Sequence, residues 1–126
     1  MEQHRTTLES IRILIVDDKA DVRLLIAQFL TRQGAHVFAA KNASEGLRLV
    51  REIRPDLVLS DINMPGRNGL QFLADIRNLG PDYGNVPVIA MTAYVLDQAV
   101  VNAGFESVLR KPFIPDQLLA TIDLAL

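Results

Sequence analysis

The stretch Ile13-Leu-Ile-Val-Asp-Asp18 decides how the rest of the chain is read. Four apolar residues, three of them β-branched, stop abruptly at two carboxylates. A run this short, bounded by acids, fits a strand buried on both faces, as in a parallel sheet. With Ile11 and Arg12 it makes a strand over Ile11–Val16. Downstream, Val22, Leu25, Ile26, Phe29 and Leu30 recur at i, i+3, i+4, i+7 and i+8, one face of a helix. That stripe reads as core rather than a partner-binding zipper, and Gly34 stands where the helix stops.

The same alternation repeats to the end of the chain. Ala35–Ala40 is a weaker strand, and Ser44 offers the cap of a helix carrying Leu47, Val50 and Ile53 inward and ended by Pro55. Asp56–Ser60 is a third strand, followed by a loop with Pro65-Gly66 and Asn68-Gly69 as turn signals. Leu70, Leu73, Ile76 and Leu79 mark the next helix, and Val86–Met91 the fourth strand. A short helix over Leu96–Ala103 ends at Gly104, and Ser107–Arg110 is a brief fifth strand. Leu118, Leu119 and Ile122 line a terminal helix. Five βα units predict an α/β, doubly wound, flavodoxin-like fold with a parallel sheet of order 2-1-3-4-5.

The 126 residues suffice for one domain, expected over 11–126 after a polar tail at 1–10. With 49% hydrophobic and 22% charged residues, a full core is expected. A net charge of −2 supplies no electrostatic footprint for nucleic acid. There is no cysteine, which excludes disulfides and thiolate metal sites. The apolar runs are far shorter than the ~20 residues of a membrane span. The expectation is a cytoplasmic protein with no membrane contact, monomeric or weakly dimeric.

In an open parallel sheet the strand ends at one edge form the ligand crevice. Asp17 and Asp18 follow the first strand, Asp61 the third, Thr92 the fourth and Lys111 the fifth. Singly these residues have plainer readings: an acidic pair can be a solvated turn or a helix cap, with Asp21 a competing cap, and a threonine at a strand end is ordinary. Together they bring three carboxylates, a hydroxyl and an ammonium to one rim. Two unit charges ~4 Å apart repel by about 4 kcal/mol at an effective dielectric of ~20. Three carboxylates are therefore unfavourable unless a cation binds or their pKa values rise. Oxygen ligands of this kind suit Mg²⁺, which is usually held by one or two carboxylates plus phosphate. His4, His36, Arg67 and Arg110 read as ordinary surface residues, though the two arginines lie near the expected rim.

Ile13-Leu-Ile-Val-Asp-Asp18, Asp61-Ile-Asn-Met-Pro-Gly-Arg-Asn-Gly69, Ala90-Met-Thr-Ala93 and Lys111-Pro-Phe113, in this order, resemble the receiver domain of two-component response regulators, of the chemotaxis-regulator type. The resemblance covers about residues 11–126. It implies that Asp61 is the phosphoacceptor, taking a phosphoryl group from a histidine kinase or histidine phosphotransfer protein. It further implies that Asp17, Asp18, Asp61 and the backbone carbonyl of Asn63 hold Mg²⁺, that Thr92 hydrogen-bonds the phosphoryl group and that Lys111 pairs with it. Such a domain is a switch that alters affinity for a downstream protein target, with at most slow self-dephosphorylation, and not an enzyme.

Two features depart from the family pattern. Val108 stands three before Lys111, where the family has an aromatic residue that swings inward; Phe105 and Tyr94 are the nearby rings. The spacing from Thr92 to Gly104 is short, which implies a fourth helix shortened by nearly a turn or a tightened entry loop before it. Tyr94, two after Thr92, is bulky enough to screen the phosphoryl group, implying a long-lived phosphoform. Rival readings are a Mg²⁺-dependent small-molecule phosphohydrolase and an unphosphorylated scaffold. The first lacks sequence for a cap domain or a substrate pocket of the usual ~300 Å³ or more; the second has no need of all five groups.

Overall fold

The computed structural model describes residues 8–93 and 98–126. Among them alternate β1 (Arg12–Val16), α1 (Ala20–Arg32), β2 (His36–Ala40), α2 (Ala43–Ile53), β3 (Leu57–Asp61), α3 (Gly69–Arg77), β4 (Val88–Thr92), α4 (Gln98–Val101), β5 (Ser107–Arg110) and α5 (Pro115–Ala125). All four pairings are parallel and the order is β2-β1-β3-β4-β5, as the sequence predicts.

The continuous apolar character of the central strands follows from burial on both faces, since successive side chains point to opposite sides. Ile13, Ile15, Leu57, Leu59, Ile89 and Met91 pack with Ile26 and Leu30 of α1 and Leu118 and Ile122 of α5. Leu14, Val16, Val58 and Val88 point the other way, onto Val50 of α2 and Phe72, Leu73 and Ile76 of α3.

Several details differ from the sequence expectation. Within the α1 stripe, Ile26 and Leu30 are buried, but Leu25 is 70% exposed, so the stripe is not wholly core. The cap of α2 is Asn42, whose side chain accepts from the Glu45 N–H at 2.8 Å, and not Ser44. The helix still ends just before Pro55, with Arg54 in the left-handed region at φ 47°. Leu8, within the stretch expected as a polar tail, is buried in the α1 side of the core, and its N–H donates to Gln33 O at 2.9 Å. The third and fourth strands run on to include Asp61 and Thr92 themselves. Among the described residues α4 is a four-residue helix; Leu96, where it was expected to begin, and Tyr94 lie outside them, as does His4. No helix among the described residues is long and apolar enough to cross a membrane.

Candidate functional site

Strand register brings the site together. Val16 is paired with Ser60, so the next residues, Asp17 and Asp61, emerge as neighbours at one edge of the sheet. Asp61 in turn is opposite Met91, just before Thr92, and Thr92 is opposite Arg110, just before Lys111. The Lys111 N–H donates to Thr92 O at 2.7 Å, continuing the ladder one residue past β5. The Lys111–Pro112 bond that follows is cis.

Asp17 is fully buried and held from two sides. Lys111 Nζ donates to its Oδ2 at 2.9 Å, and the Lys19 N–H donates to its Oδ1 at 2.9 Å. Asp17 is thus an anchored carboxylate rather than a solvated turn. Asp17, Asp18 and Asp61 each offer an oxygen within 4.8 Å of the others, an arrangement that could hold a metal ion. Thr92 is buried at the end of β4, and Ala93 is exposed beside it.

Asp61 is only 3% exposed, and its two oxygens differ. Oδ1 accepts from the Asn63 N–H at 3.3 Å and lies 3.7 Å from Lys111 Nζ. Oδ2 is buried with no hydrogen-bond partner among the described residues. Burial lifts the Asp61 pKa above its ordinary value; the Lys111 charge, the Asn63 N–H and Lys19 oppose this, while the Asp17 charge adds to it. An orphaned buried carboxylate oxygen costs free energy unless something reaches it.

The backbone beside Asp61 is tightly packed. A Cβ on Gly69 would meet Asp61 O at 2.5 Å and Ile62 Cα at 2.7 Å, so the start of α3 can approach this strand end only as glycine. Asn68 and Gln71 form a capping box there, with bonds of 2.9 Å in both directions. Gly66, in the intervening loop, has φ +78°, open to glycine at little cost.

One residue absent from the sequence expectation stands in the site. Lys19 Nζ lies 3.4 Å from Asp18 Oδ1 and 3.7 Å from Asp61 Oδ2. Its slight burial lowers its pKa, but Asp61, Asp18 and Asp17 outweigh this and raise it. The signal available in the sequence was a lysine directly after an acidic pair, where a cap residue would be usual. The rim arginines do other things: Arg67 makes a two-pronged pair with Asp75 at 2.7 and 2.8 Å, and Arg110 is exposed, as is His36.

Lys19, Val22, Asp61, Asn63, Ala93 and Lys111 line a cleft of about 260 Å³. Contrary to the expectation of no larger pocket, an apolar groove of about 420 Å³ adjoins it, lined by Val22, Leu25, Ile26, Ala93, Lys111, Pro112 and Phe113. Burial of the apolar residues on α1 is incomplete there because no further element covers that end of the helix among the described residues. On the opposite side of the site, Val108 and Phe105 pack with Ile62, Ala90 and Val100 in a small cluster behind β4.

Residues 13–123 match the family model described as the response regulator receiver domain. The chain is 36% identical over 110 residues to sporulation initiation phosphotransferase F of Bacillus subtilis, covering 85% of this chain and 86% of that protein. It is 30% identical over 113 residues to the chemotaxis protein CheY of Thermotoga maritima, covering 89% and 94% respectively. The solved structure of Vibrio cholerae CheY4 superposes with a TM-score of 0.87 at 29% identity, covering 93% of this chain and 99% of that one. Some longer relatives are matched over about a quarter of their length. The chain belongs to the response regulator receiver domains, phosphoacceptor switches of two-component signalling rather than enzymes in their own right.

Proposed function

We propose that Asp61 accepts the phosphoryl group from a phosphohistidine on a histidine kinase or histidine phosphotransfer protein, and that the aspartyl phosphate changes the affinity of this domain for a downstream protein. The observation that carries the reading is Asp61 Oδ2: a buried carboxylate oxygen with no hydrogen-bond partner among the described residues, on a residue that lines the cleft. In the transfer, Oδ2 attacks phosphorus, the P–N bond breaks, and the imidazole leaves with the bonding electrons. Lys111 is close enough to Asp61 Oδ1 to follow the charge as it moves outward onto the phosphoryl oxygens. The Thr92 hydroxyl, at the adjacent strand end, is the donor for one of those oxygens. Catalysis of this kind is positioning plus charge neutralisation.

Asp17, Asp18, Asp61 and the Asn63 carbonyl would hold Mg²⁺, since an all-oxygen set with clustered carboxylates fits a hard divalent cation. Bound there, Mg²⁺ supplies positive charge against the carboxylates and the incoming phosphoryl oxygens. Two observations favour a macromolecular donor over a small phosphate ester. The groove beside the site is apolar apart from Lys111, with little to orient a small polar substrate. Leu25 is 70% exposed on that groove, which leaves its apolar surface open to a larger partner. With a net charge of −2, direct nucleic-acid binding is not part of this reading. Output runs without an aromatic at Val108, through the cluster that Val108 shares with Phe105 and Val100.

Mass spectrometry after incubation with a small phosphodonor and Mg²⁺ tests the assignment. One phosphoryl adduct is expected on the wild type and none on Asp61→Asn. An adduct that persists in the variant moves the acceptor elsewhere, and sustained turnover of a free phosphate ester favours the phosphohydrolase.

A further inference from the structure

Lys19 stands where helix energetics disfavour a cation. It is the N-cap of α1, its side chain makes no capping bond, and the helix N-terminus carries partial positive charge. Its ammonium instead lies against Asp18 and Asp61, two of the three carboxylates that cluster for a metal. Lys111 contacts the remaining one, Asp17, and the other oxygen of Asp61. Asp61 therefore has a lysine facing each oxygen, but the two lysines are not equivalent. The Lys111 side chain is 17% exposed and hydrogen-bonded to a buried partner, whereas the Lys19 side chain is 56% exposed and its ion pairs, at 3.4 and 3.7 Å, are loose. Lys111 is built in; Lys19 can leave.

We propose that Lys19 is a tethered competitor for the divalent ion: its ammonium neutralises Asp18 and Asp61 in the resting domain and must withdraw to solvent before a metal can sit among the same carboxylates. This rests on the metal-assisted reading of the site given above. The consequence is a weaker divalent affinity than the three carboxylates alone would give. Metal occupancy then becomes conditional on the local ion concentration, or on a phosphoryl group that adds its own oxygen ligands. Competition by a partly exposed charge is electrostatic and screened, so it weakens as salt rises.

The test is the affinity for Mn²⁺, used alone as a paramagnetic probe and read from the free-ion resonance signal, on the wild type, Lys19→Met and Lys19→Arg. Lys19→Met is expected to bind Mn²⁺ roughly fivefold more tightly at low ionic strength, the size of one unit-charge interaction across ~4 Å of water. Lys19→Arg, which retains the cation, is expected to stay within about twofold of the wild type on the same reasoning. The Lys19→Met gain is expected to shrink in molar salt. Unchanged or weaker binding in Lys19→Met, with the wild type still binding, overturns the competitor role alone. Equal tightening in Met and Arg variants overturns the charge argument. Failure of all three proteins to bind Mn²⁺ at millimolar concentration overturns the metal reading and the competitor role with it.

Discussion

Replacing Asp61, the proposed phosphoacceptor, by asparagine is expected to stabilise the metal-free domain at neutral pH. Asp61 is 3% exposed, its Oδ2 has no hydrogen-bond partner among the described residues, and its nearest cations stay 3.7 Å away. Burial is the largest influence on its pKa, and the net direction is upward. A carboxyl with a raised folded pKa contributes stability that is fully present below its unfolded pKa and lost as pH rises through the folded value. That contribution is lost as the pH rises above the ordinary carboxylate range, and an amide, which never ionises, avoids the loss. An unsatisfied buried polar group costs about 1–3 kcal/mol. The lysines at 3.7 Å soften this, so the lower part of that range applies, about 1–2 kcal/mol. For a domain of this size that is a rise in Tm of roughly 3–10 °C. The assay is thermal unfolding in EDTA at pH 7 and again near pH ~4, where ordinary carboxylates begin to protonate. The gain should be present at pH 7 and largely gone in acid. An Asp61→Asn variant no more stable than wild type at pH 7, or one whose gain does not depend on pH, refutes the electrostatic account of this site.

Adding Mg²⁺ should narrow or reverse that gap by stabilising the wild type, up to about 2.7 kcal/mol at a concentration ~100 times Kd; calorimetry of the wild type and Asp18→Asn with and without the ion checks this. Lys111→Met leaves fully buried Asp17 without its ammonium, and breaking such a pair is expected to cost about 3–5 kcal/mol. The double variant Lys111→Met with Asp17→Asn should recover much of it in urea unfolding, and no recovery would mean that the loss is one of packing. Gly69→Ala forces a methyl into Asp61 O and Ile62 Cα, an overpacking cost of about 1–3 kcal/mol, and should slow phosphorylation as well, since the shift falls on the proposed acceptor's own backbone. Asn42→Ala removes the cap of α2 at a cost of about 1 kcal/mol, read as a lower urea midpoint.

Some of this molecule was legible residue by residue and some was not. The motif loop after Asp61 and the Lys111–Pro112 step could be read because each follows a strand and each strand must end at the same edge. The outer half of the α1 stripe misled, because a 3.6-residue period identifies which residues share a face but not how wide a strip of that face the sheet covers. Ile26 and Leu30 meet β-strand side chains, while Leu25, one residue round, stays outside that core cluster and largely exposed. Asn42 and Ser44 are both good cap residues, and only the backbone decides between them. At Asn42 it is extended, with φ −156° and ψ 172°, and the helix begins at the next residue.

The alternation of short β-branched runs with helical stripes was sufficient for a five-stranded parallel sheet in this order, since parallel strands need crossovers and crossovers are right-handed. It was sufficient, too, for bringing Asp17, Asp18, Asp61, Thr92 and Lys111 to one rim, because local chemistry is repeated there at every strand end. Which carboxylate oxygen is left open, and which lysine stands over it, belongs to the tertiary structure. The Val16–Ser60 register brings Asp61 beside Asp17 and within 3.7 Å of Lys19, a contact between distant parts of the chain that no local pattern encodes.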